Sequence, residues 1–141
     1  MPDGLDSARY VLEAFAVMAF IHAEPGADRV RELLHGGNAV ELSLATVNLA
    51  EMLYRIERDD GEQAADAVLA RLTQELPTRL VEADPDLSVR AARFKAIHPV
   101  SLADCYAVAL AERVDAVVVT GDPDFRRFEG RVTVEWLSMP Q

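Results

Sequence analysis

The sequence predicts a single α/β domain, residues 1–141, in which helices cover a central and mostly parallel sheet. Three observations lead to this prediction. Strand-like and helix-like segments alternate along the chain, which favours a parallel sheet with right-handed crossovers. Residues 116–119 form a short valine-rich run, typical of a strand that is buried on both faces. The chain has 141 residues, 50% apolar and 27% charged, which is enough to bury one core.

The first half of the chain contains two predicted strands and four predicted helices. The strands are short apolar segments at residues 9–12 and 40–44. The helical segments are rich in helix-forming residues, and most have apolar side chains three and four positions apart. Thr46 and Asn48 are good N-cap residues for the helix that follows them, and residues 59–61 are a predicted turn. The predicted helices of this half are 14–23, 27–34, 49–58 and 62–76.

The second half of the chain continues the alternation. Asp84 and Pro85 are typical of a helix start, and Ser101 with Asp104 has the spacing of a capping box before the next helix. Residues 1–8, before the first strand, are predicted to be a flexible N-terminal tail. The predicted helices of this half are 85–97 and 103–113. The predicted strands are 79–83, 116–119 and an edge strand 132–136, with a short connection at 125–130.

Charge and composition limit the function classes. Asp and Glu outnumber Lys and Arg by 24 to 14, giving a net charge of −10, and an acidic surface opposes non-specific binding to nucleic acid. The chain has one cysteine, Cys105, which excludes an internal disulfide and fits a reducing cytosol. No apolar run approaches the roughly 20 residues that span a bilayer. We therefore expect a cytoplasmic protein with no membrane contact.

Four acids occur in similar local settings, beside apolar segments at the ends of predicted strands or the starts of predicted helices. They are Glu13, Glu51, Asp104 and Asp122, and Asp124 follows the last of them. Carboxylates beside an apolar core are costly unless they are paired or bind a cation. Buried basic partners are scarce, because the chain has one lysine and most arginines fall on polar helix faces or loops. If the acids converge, a hard divalent cation, Mg²⁺ or Mn²⁺, is therefore the expected counter-charge. Helix-dipole stabilisation, capping and an ordinary polar turn are alternative interpretations of the individual acids.

Four segments of the chain resemble the four motifs of PIN-domain proteins. They are 12–16 (LEAFA), 48–51 (NLAE), 101–104 (SLAD) and 120–125 (TGDPDF). The resemblance extends over residues 9–136 and is greatest to the VapC-type ribonuclease toxins of prokaryotic toxin–antitoxin pairs. It implies a Rossmann-like α/β/α sandwich and Mg²⁺- or Mn²⁺-dependent cleavage of RNA. It also implies a homodimer and a cognate small antitoxin protein as partner.

The resemblance assigns roles to individual residues. Glu51, Asp104 and Asp122 match the metal-binding acids of the family, and Asp124 matches a variable additional acid. Glu13 stands where the family nearly always has Asp, and Phe15 where many members have a small hydroxyl residue. The resemblance therefore implies that Glu13, Glu51, Asp104 and Asp122 are catalytic. The same four acids and Asp124 are the expected metal ligands.

Two other function classes remain open. A PIN-like module that has lost catalysis and only binds RNA or protein is the first, because of Glu13 and Phe15. A phosphotransfer domain is the second, although it would need a supporting lysine, and Lys95 lies within a predicted helix. Arg55, one turn beyond Glu51, either borders the substrate groove or has an ordinary surface role.

Overall fold

The structure, a computed structural model, describes residues 7–137. Its five strands are β1 (Ala8–Leu12), β2 (Val40–Ala45), β3 (Thr78–Val81), β4 (Val117–Thr120) and β5 (Val134–Trp136). They form one sheet in the order β3-β2-β1-β4-β5, and all four neighbouring pairs are parallel. The predicted α/β fold is therefore confirmed.

Helices pack on both faces of the sheet. They are α1 (Ala14–Ile21), α2 (Ala27–Leu34), α3 (Thr46–Asp60), α4 (Glu62–Ala70), α5 (Pro85–Ile97) and α6 (Leu102–Val114). Successive strand residues point to opposite faces. Val11 and Val118 accordingly join a core with α5 and α6, whereas Leu12 and Val119 join a second core with α1 to α4. The two buried cores make the domain a three-layer α/β/α sandwich.

The strand order reverses between β1 and β4, since the chain first builds the sheet outward from β1 and then returns to its other side. In open parallel sheets, ligands bind at such a switch point, outside the carboxyl ends of the strands. Leu12 pairs with Val119 in the ladder. Glu13 and Thr120, the next residues, therefore lie side by side at this edge.

Several predicted boundaries differ from the structure. Helix α3 begins at Thr46 rather than at residue 49, with Ala45 as its N-cap, so the prediction that Thr46 or Asn48 caps this helix is wrong. Asn48 lies instead in the first turn, because its side chain finds a buried partner in α6. Residues 59 and 60 of the predicted turn 59–61 belong to the last helical turn of α3, and Gly61, with φ 99°, is the C-cap residue of that helix.

Two other segments are helical in a different way from that predicted. The helix expected over 62–76 is α-helical only to Ala70 and continues as a π-helical turn, Arg71–Glu75. The connection predicted at 125–130 contains most of a 3-10 helix, Pro123–Phe128, which buries two phenylalanine rings. The structure therefore differs from the prediction in helix type at 71–75 and in the presence of a helix at 123–128.

The chain termini are described only in part. Strand β1 begins at Ala8, within the predicted tail 1–8, and residues 1–6 of that tail lie outside the described residues. Across residues 7–137, no helix combines the length and the apolarity that crossing a membrane requires.

Candidate metal centre

An acidic cleft of about 540 Å³ lies at the switch-point edge of the sheet. Its walls come from the segments that follow β1 and β4, from one side of α3 and from the start of α6. All five predicted metal-binding acids line it, together with two acids that the sequence analysis did not select. These seven are Glu13, Glu24, Glu51, Asp59, Asp104, Asp122 and Asp124. The structure thus brings distant acids into one negatively charged cleft.

Asp104 lies in the first turn of α6, and its carboxylate is not used to cap that helix. Ser101 is the N-cap residue, and its Oγ accepts the Asp104 backbone N–H at 3.1 Å. Within residues 7–137, the Asp104 carboxylate does not accept the reciprocal hydrogen bond of a capping box. The carboxylate is buried, with 5% of the residue exposed, and it lines the cleft, so that a ligand there can reach it.

Asp122 and Asp124 are held by the turn that follows β4. The Asp122 N–H donates to Thr120 Oγ1 at 3.0 Å, and the Asp124 N–H donates to Asp122 Oδ1 at 3.0 Å. These bonds fix the turn and start the 3-10 helix. They leave Asp122 Oδ2 and both Asp124 oxygens free of hydrogen bonds to the described residues.

Three carboxylates converge on one point. One oxygen from each of Asp104, Asp122 and Asp124 lies within 4.8 Å of the others. Around an octahedral Mg²⁺ ion with bonds of about 2.1 Å, neighbouring ligands are about 2.9 Å apart and opposite ligands about 4 Å apart. The three carboxylates could therefore hold one ion if their side chains moved closer or if a retained water bridged one of them to it. An all-oxygen donor set suits Mg²⁺ or Mn²⁺ and is unlike the His and Cys sets of zinc. The residues present fit the expected metal.

The electrostatics of the cluster also favour a cation. Burial is the main cause that raises the pKa of Asp104 to about 7, and the negative charge of Asp122 raises it further against the hydrogen bond from Ser101. A divalent ion would remove this repulsion and restore an ordinary carboxylate. The repulsion among these carboxylates is therefore greatest when all of them are ionised and no cation is bound.

Glu13 lines the same cleft but lies outside the three-acid cluster. It is the N-cap residue of α1: Oε1 accepts the Ala16 N–H at 2.9 Å and Oε2 accepts the Phe15 N–H at 3.0 Å. Glu13 is 2% exposed, and this burial raises its pKa to about 8 in spite of the two backbone hydrogen bonds. Both oxygens already have partners, so its role as a metal ligand stays a prediction.

Glu51 projects into the cleft from α3, also outside the cluster. Its partial burial raises its pKa; the positive charge of Arg55 opposes this effect, and the negative charge of Asp122 adds to it. The negative charge of Asp122, one of the three clustered acids, therefore acts on the Glu51 carboxylate. The predicted role of Glu51 as a ligand, direct or through water, is likewise not tested by the geometry.

Phe15 lines the cleft, and its ring lies against Gly121. A Cβ atom added to Gly121 would lie 2.3 Å from the Phe15 ring, which is closer than real side chains approach. Gly121 does not have a positive φ, so the aromatic ring, and not the backbone conformation, requires a glycine here. The phenylalanine at position 15, where many family members have a small hydroxyl residue, fits because position 121 is a glycine.

Asn48 is a site residue whose role the sequence analysis missed. Its Nδ2 donates to the Ala103 carbonyl at 3.0 Å and so links the first turns of α3 and α6, the two helices that carry Glu51 and Asp104. The side chain is fully buried, and within residues 7–137 its Oδ1 has no hydrogen-bond partner. An asparagine three residues before an acid, on the same helix face, was the signal available in the sequence.

Fold and site together define an α/β domain with an acidic cleft at its switch point. The PIN domain family model matches residues 10–131. The chain belongs to the PIN domain family. No curated protein sequence is significantly similar to it.

Several solved structures of similar fold are toxin–antitoxin proteins. DNA-bound VapBC of Salmonella typhimurium has a TM-score of 0.72 at 19% identity, over 91% of this chain and 97% of the other. VapBC2 of Rickettsia felis, bound to a promoter fragment, has a TM-score of 0.70 at 15% identity, over 92% and 99%. A VapC toxin of Mycobacterium tuberculosis that cleaves the sarcin-ricin loop has a TM-score of 0.69 at 18% identity, over 85% and 94%. The expected likeness to VapC structures is confirmed at the level of the fold.

Proposed function

We propose that the protein is an Mg²⁺- or Mn²⁺-dependent endoribonuclease and acts in the cytoplasm as the toxin of a toxin–antitoxin pair. The observation that carries this proposal is the convergence of Asp104, Asp122 and Asp124 at the switch-point edge of a PIN domain. The similarity in fold to VapC structures supports the toxin assignment. The proposed substrate is an RNA phosphodiester, which is hydrolysed.

Each acid has a defined part in this proposal. Asp104 and Asp122 hold the cation, Asp124 completes the cluster, and Glu51 and Glu13 contribute from the cleft wall. When bound, a divalent ion lowers the pKa of water and stabilises negative charge on the phosphate. Ser101 and Thr120 keep backbone N–H groups occupied, so that the acids stay turned toward the substrate.

Asp104→Asn and Asp122→Asn test the proposal. We expect each variant to lose Mn²⁺-dependent cleavage of RNA by at least about a hundredfold, because changes outside the ligand set alone cost 10- to 100-fold. Asp66→Asn, an exposed aspartate on α4, is the matched control and should cleave at the native rate. Circular dichroism would establish that all three fold. Cleavage by folded Asp104→Asn at the control rate would reject the assignment.

One observation favours a second candidate, a PIN-like module that binds RNA or protein without cleaving. The Glu13 carboxylate is engaged by two backbone N–H groups, so one acid of the expected site is already occupied. Assays of native protein and Glu13→Asp with RNA and Mn²⁺ separate the candidates. Cleavage only by Glu13→Asp would favour the binding module, and metal-dependent cleavage by the native protein would exclude it.

A small antitoxin protein is the proposed partner, and a homodimer the proposed assembly. The solved structures of similar fold include VapBC complexes, and the net charge of −10 suits a basic partner. Co-expression with the product of a neighbouring small reading frame should relieve growth inhibition by this protein. Unrelieved inhibition would argue against that product as the antitoxin.

A further inference from the structure

The acidic cleft continues beyond the three-acid cluster as a groove along the seam between α1 and α3. One stripe of α3, at four-residue spacing, lines it with Glu51, Arg55 and Asp59. The other wall is formed by Phe15 and Met18 of α1 and by its C-cap residue His22, at three- and four-residue spacing. An extended ligand that reaches the cluster therefore has a path along this seam.

The charge of this groove is unsuited to RNA except at one residue. Seven of the residues that line the cleft are acids, and Arg55 is the only lysine or arginine among its described lining residues. His22, on the opposite wall, lies 3.3 Å from Asp60. A divalent ion at the cluster neutralises only part of the negative charge. An RNA phosphate that lies in the groove outside the cluster can therefore contact one permanently charged side chain of the lining, that of Arg55.

Arg55 is free to make that contact. Within residues 7–137, its guanidinium forms no ion pair or hydrogen bond, although Glu51, one turn away, senses its charge. Arg58 on the same helix differs: its Nε is 3.2 Å from Asp59, and its guanidinium lies over the Tyr54 ring. A guanidinium presents five donors in a planar fork that matches two phosphate oxygens.

We propose that Arg55 binds the RNA phosphate adjacent to the scissile one. Glu51 lines the cleft near enough to the cluster that the charge of Asp122 acts on its carboxylate. Arg55 lies four residues further along α3, about 6 Å along the helix axis, which is comparable with the spacing of successive phosphates in a strand. With the scissile phosphate at the cluster, its neighbour along the groove reaches Arg55. The inference rests on the proposed ribonuclease function and adds a substrate-binding residue outside the acidic motifs.

Arg55→Gln and the matched control Arg58→Gln test this inference. The probe is a short, fluorescein-labelled single-stranded RNA of mixed sequence. We expect Arg55→Gln to raise KM about tenfold and to leave kcat nearly unchanged, since one charge-assisted contact to bound substrate is lost. Arg58→Gln should leave both at native values.

A binding measurement supplies a second readout that does not depend on cleavage. In the Asp104→Asn background, Arg55→Gln should weaken RNA binding. It should also reduce the slope of log affinity against log salt by roughly 0.7, the value for one phosphate contact on a single strand. An RNA with a neutral methylphosphonate next to the mapped cleavage site should abolish the difference in KM between native protein and Arg55→Gln.

The outcomes distinguish the inference from the function on which it rests. If native protein cleaves RNA but Arg55→Gln keeps the native KM and salt slope, the inference is overturned and the function stands. In that case Arg55 only balances the acids, and Arg55→Gln should bind Mn²⁺ more tightly without RNA. Equal effects of Arg55→Gln and Arg58→Gln would also overturn it. RNA that is neither cleaved by native protein nor bound by Asp104→Asn would overturn both.

Discussion

The two walls of the acidic cleft treat their carboxylates differently. On the α6 and β4 wall, hydroxyl groups accept the nearby backbone N–H groups: Ser101 accepts that of Asp104, and Thr120 that of Asp122. On the β1 wall no hydroxyl residue precedes α1, and Glu13 itself accepts the N–H groups of the first turn. Among the described residues, the Asp104 carboxylate accepts no backbone N–H and Asp122 uses only Oδ1 to accept that of Asp124, whereas both oxygens of Glu13 are engaged.

This difference teaches how an acid beside a helix N-terminus becomes a functional group. The first N–H groups of a helix must be satisfied, and a carboxylate is a good acceptor for them. Where serine or threonine accepts one of these N–H groups, at least one carboxylate oxygen of the neighbouring acid remains available to a cation. Where the acid is alone, it becomes part of the helix cap, and a ligand must compete with the backbone for it.

The largest expected effect of this difference is on metal affinity. We predict that Asp104→Asn weakens Mn²⁺ binding by at least about a hundredfold and that Glu13→Gln weakens it by less than about tenfold, in the absence of RNA. Isothermal titration calorimetry of the folded variants measures both. Asp66→Asn, on exposed α4, serves as the control for a lost surface charge.

Equal losses of Mn²⁺ affinity in Asp104→Asn and Glu13→Gln would show that the two walls do not differ in metal binding. Glu13 would then leave its helix cap when metal binds, and both walls would supply ligands. A loss at Glu13→Gln alone would reverse the comparison and move the metal centre to the β1 wall.

The sequence was sufficient to predict the fold because its signals are local and consistent. Valine-rich β4, the alternation of strands and helices and the Pro85 helix start each imply their element without reference to the rest of the chain. The sequence also predicted that acids would gather at one edge, because the carboxyl ends of parallel strands share it. The five selected acids do line one cleft.

The orientation of those side chains could not be predicted from the sequence. Ser101 and Asp104 have the capping-box spacing, but spacing alone does not determine which oxygen accepts which N–H. Glu13 forms its cap only because burial leaves its carboxylate few other partners. Asn48 was predicted as a helix cap, and its actual partner, 55 residues away in α6, depends on tertiary packing.

A smaller effect is expected at the contact between Phe15 and Gly121. We predict that Gly121→Ala lowers the free energy of unfolding by about 1–3 kcal/mol, because the added methyl group overlaps the Phe15 ring. Gly130→Ala is the matched control, since no atom lies within 4 Å of its added Cβ. Urea denaturation measures both variants.

A double mutant tests whether the ring is the cause. In a Phe15→Ser background, Gly121→Ala should cost much less, because the overlapping ring is gone. A cost that persists unchanged would show that Gly121 is needed for the backbone of the β4 wall and not for the β1 side of the cleft.

The last expected effect is a pH dependence of stability, which is small over any single pH unit. The pKa of Glu13 rises from 4.5 in the unfolded chain to about 8 in the folded protein, mainly through burial. The folded state therefore holds a proton that the unfolded state has released, and stability falls as pH rises through this window. Without divalent cations, we predict that native protein loses stability relative to Glu13→Gln by at most about 1.4 kcal/mol per pH unit between pH 4.5 and 8.

Urea titrations of both proteins in EDTA, at several pH values, measure this difference. A difference that stays constant with pH would mean that Glu13 is ionised in the folded protein at neutral pH. Its carboxylate would then carry the charge that a cation needs, and the β1 wall would equal the α6 and β4 wall as a source of ligands. A difference that falls with pH instead means that metal must displace a proton from Glu13 before this acid can serve as a ligand.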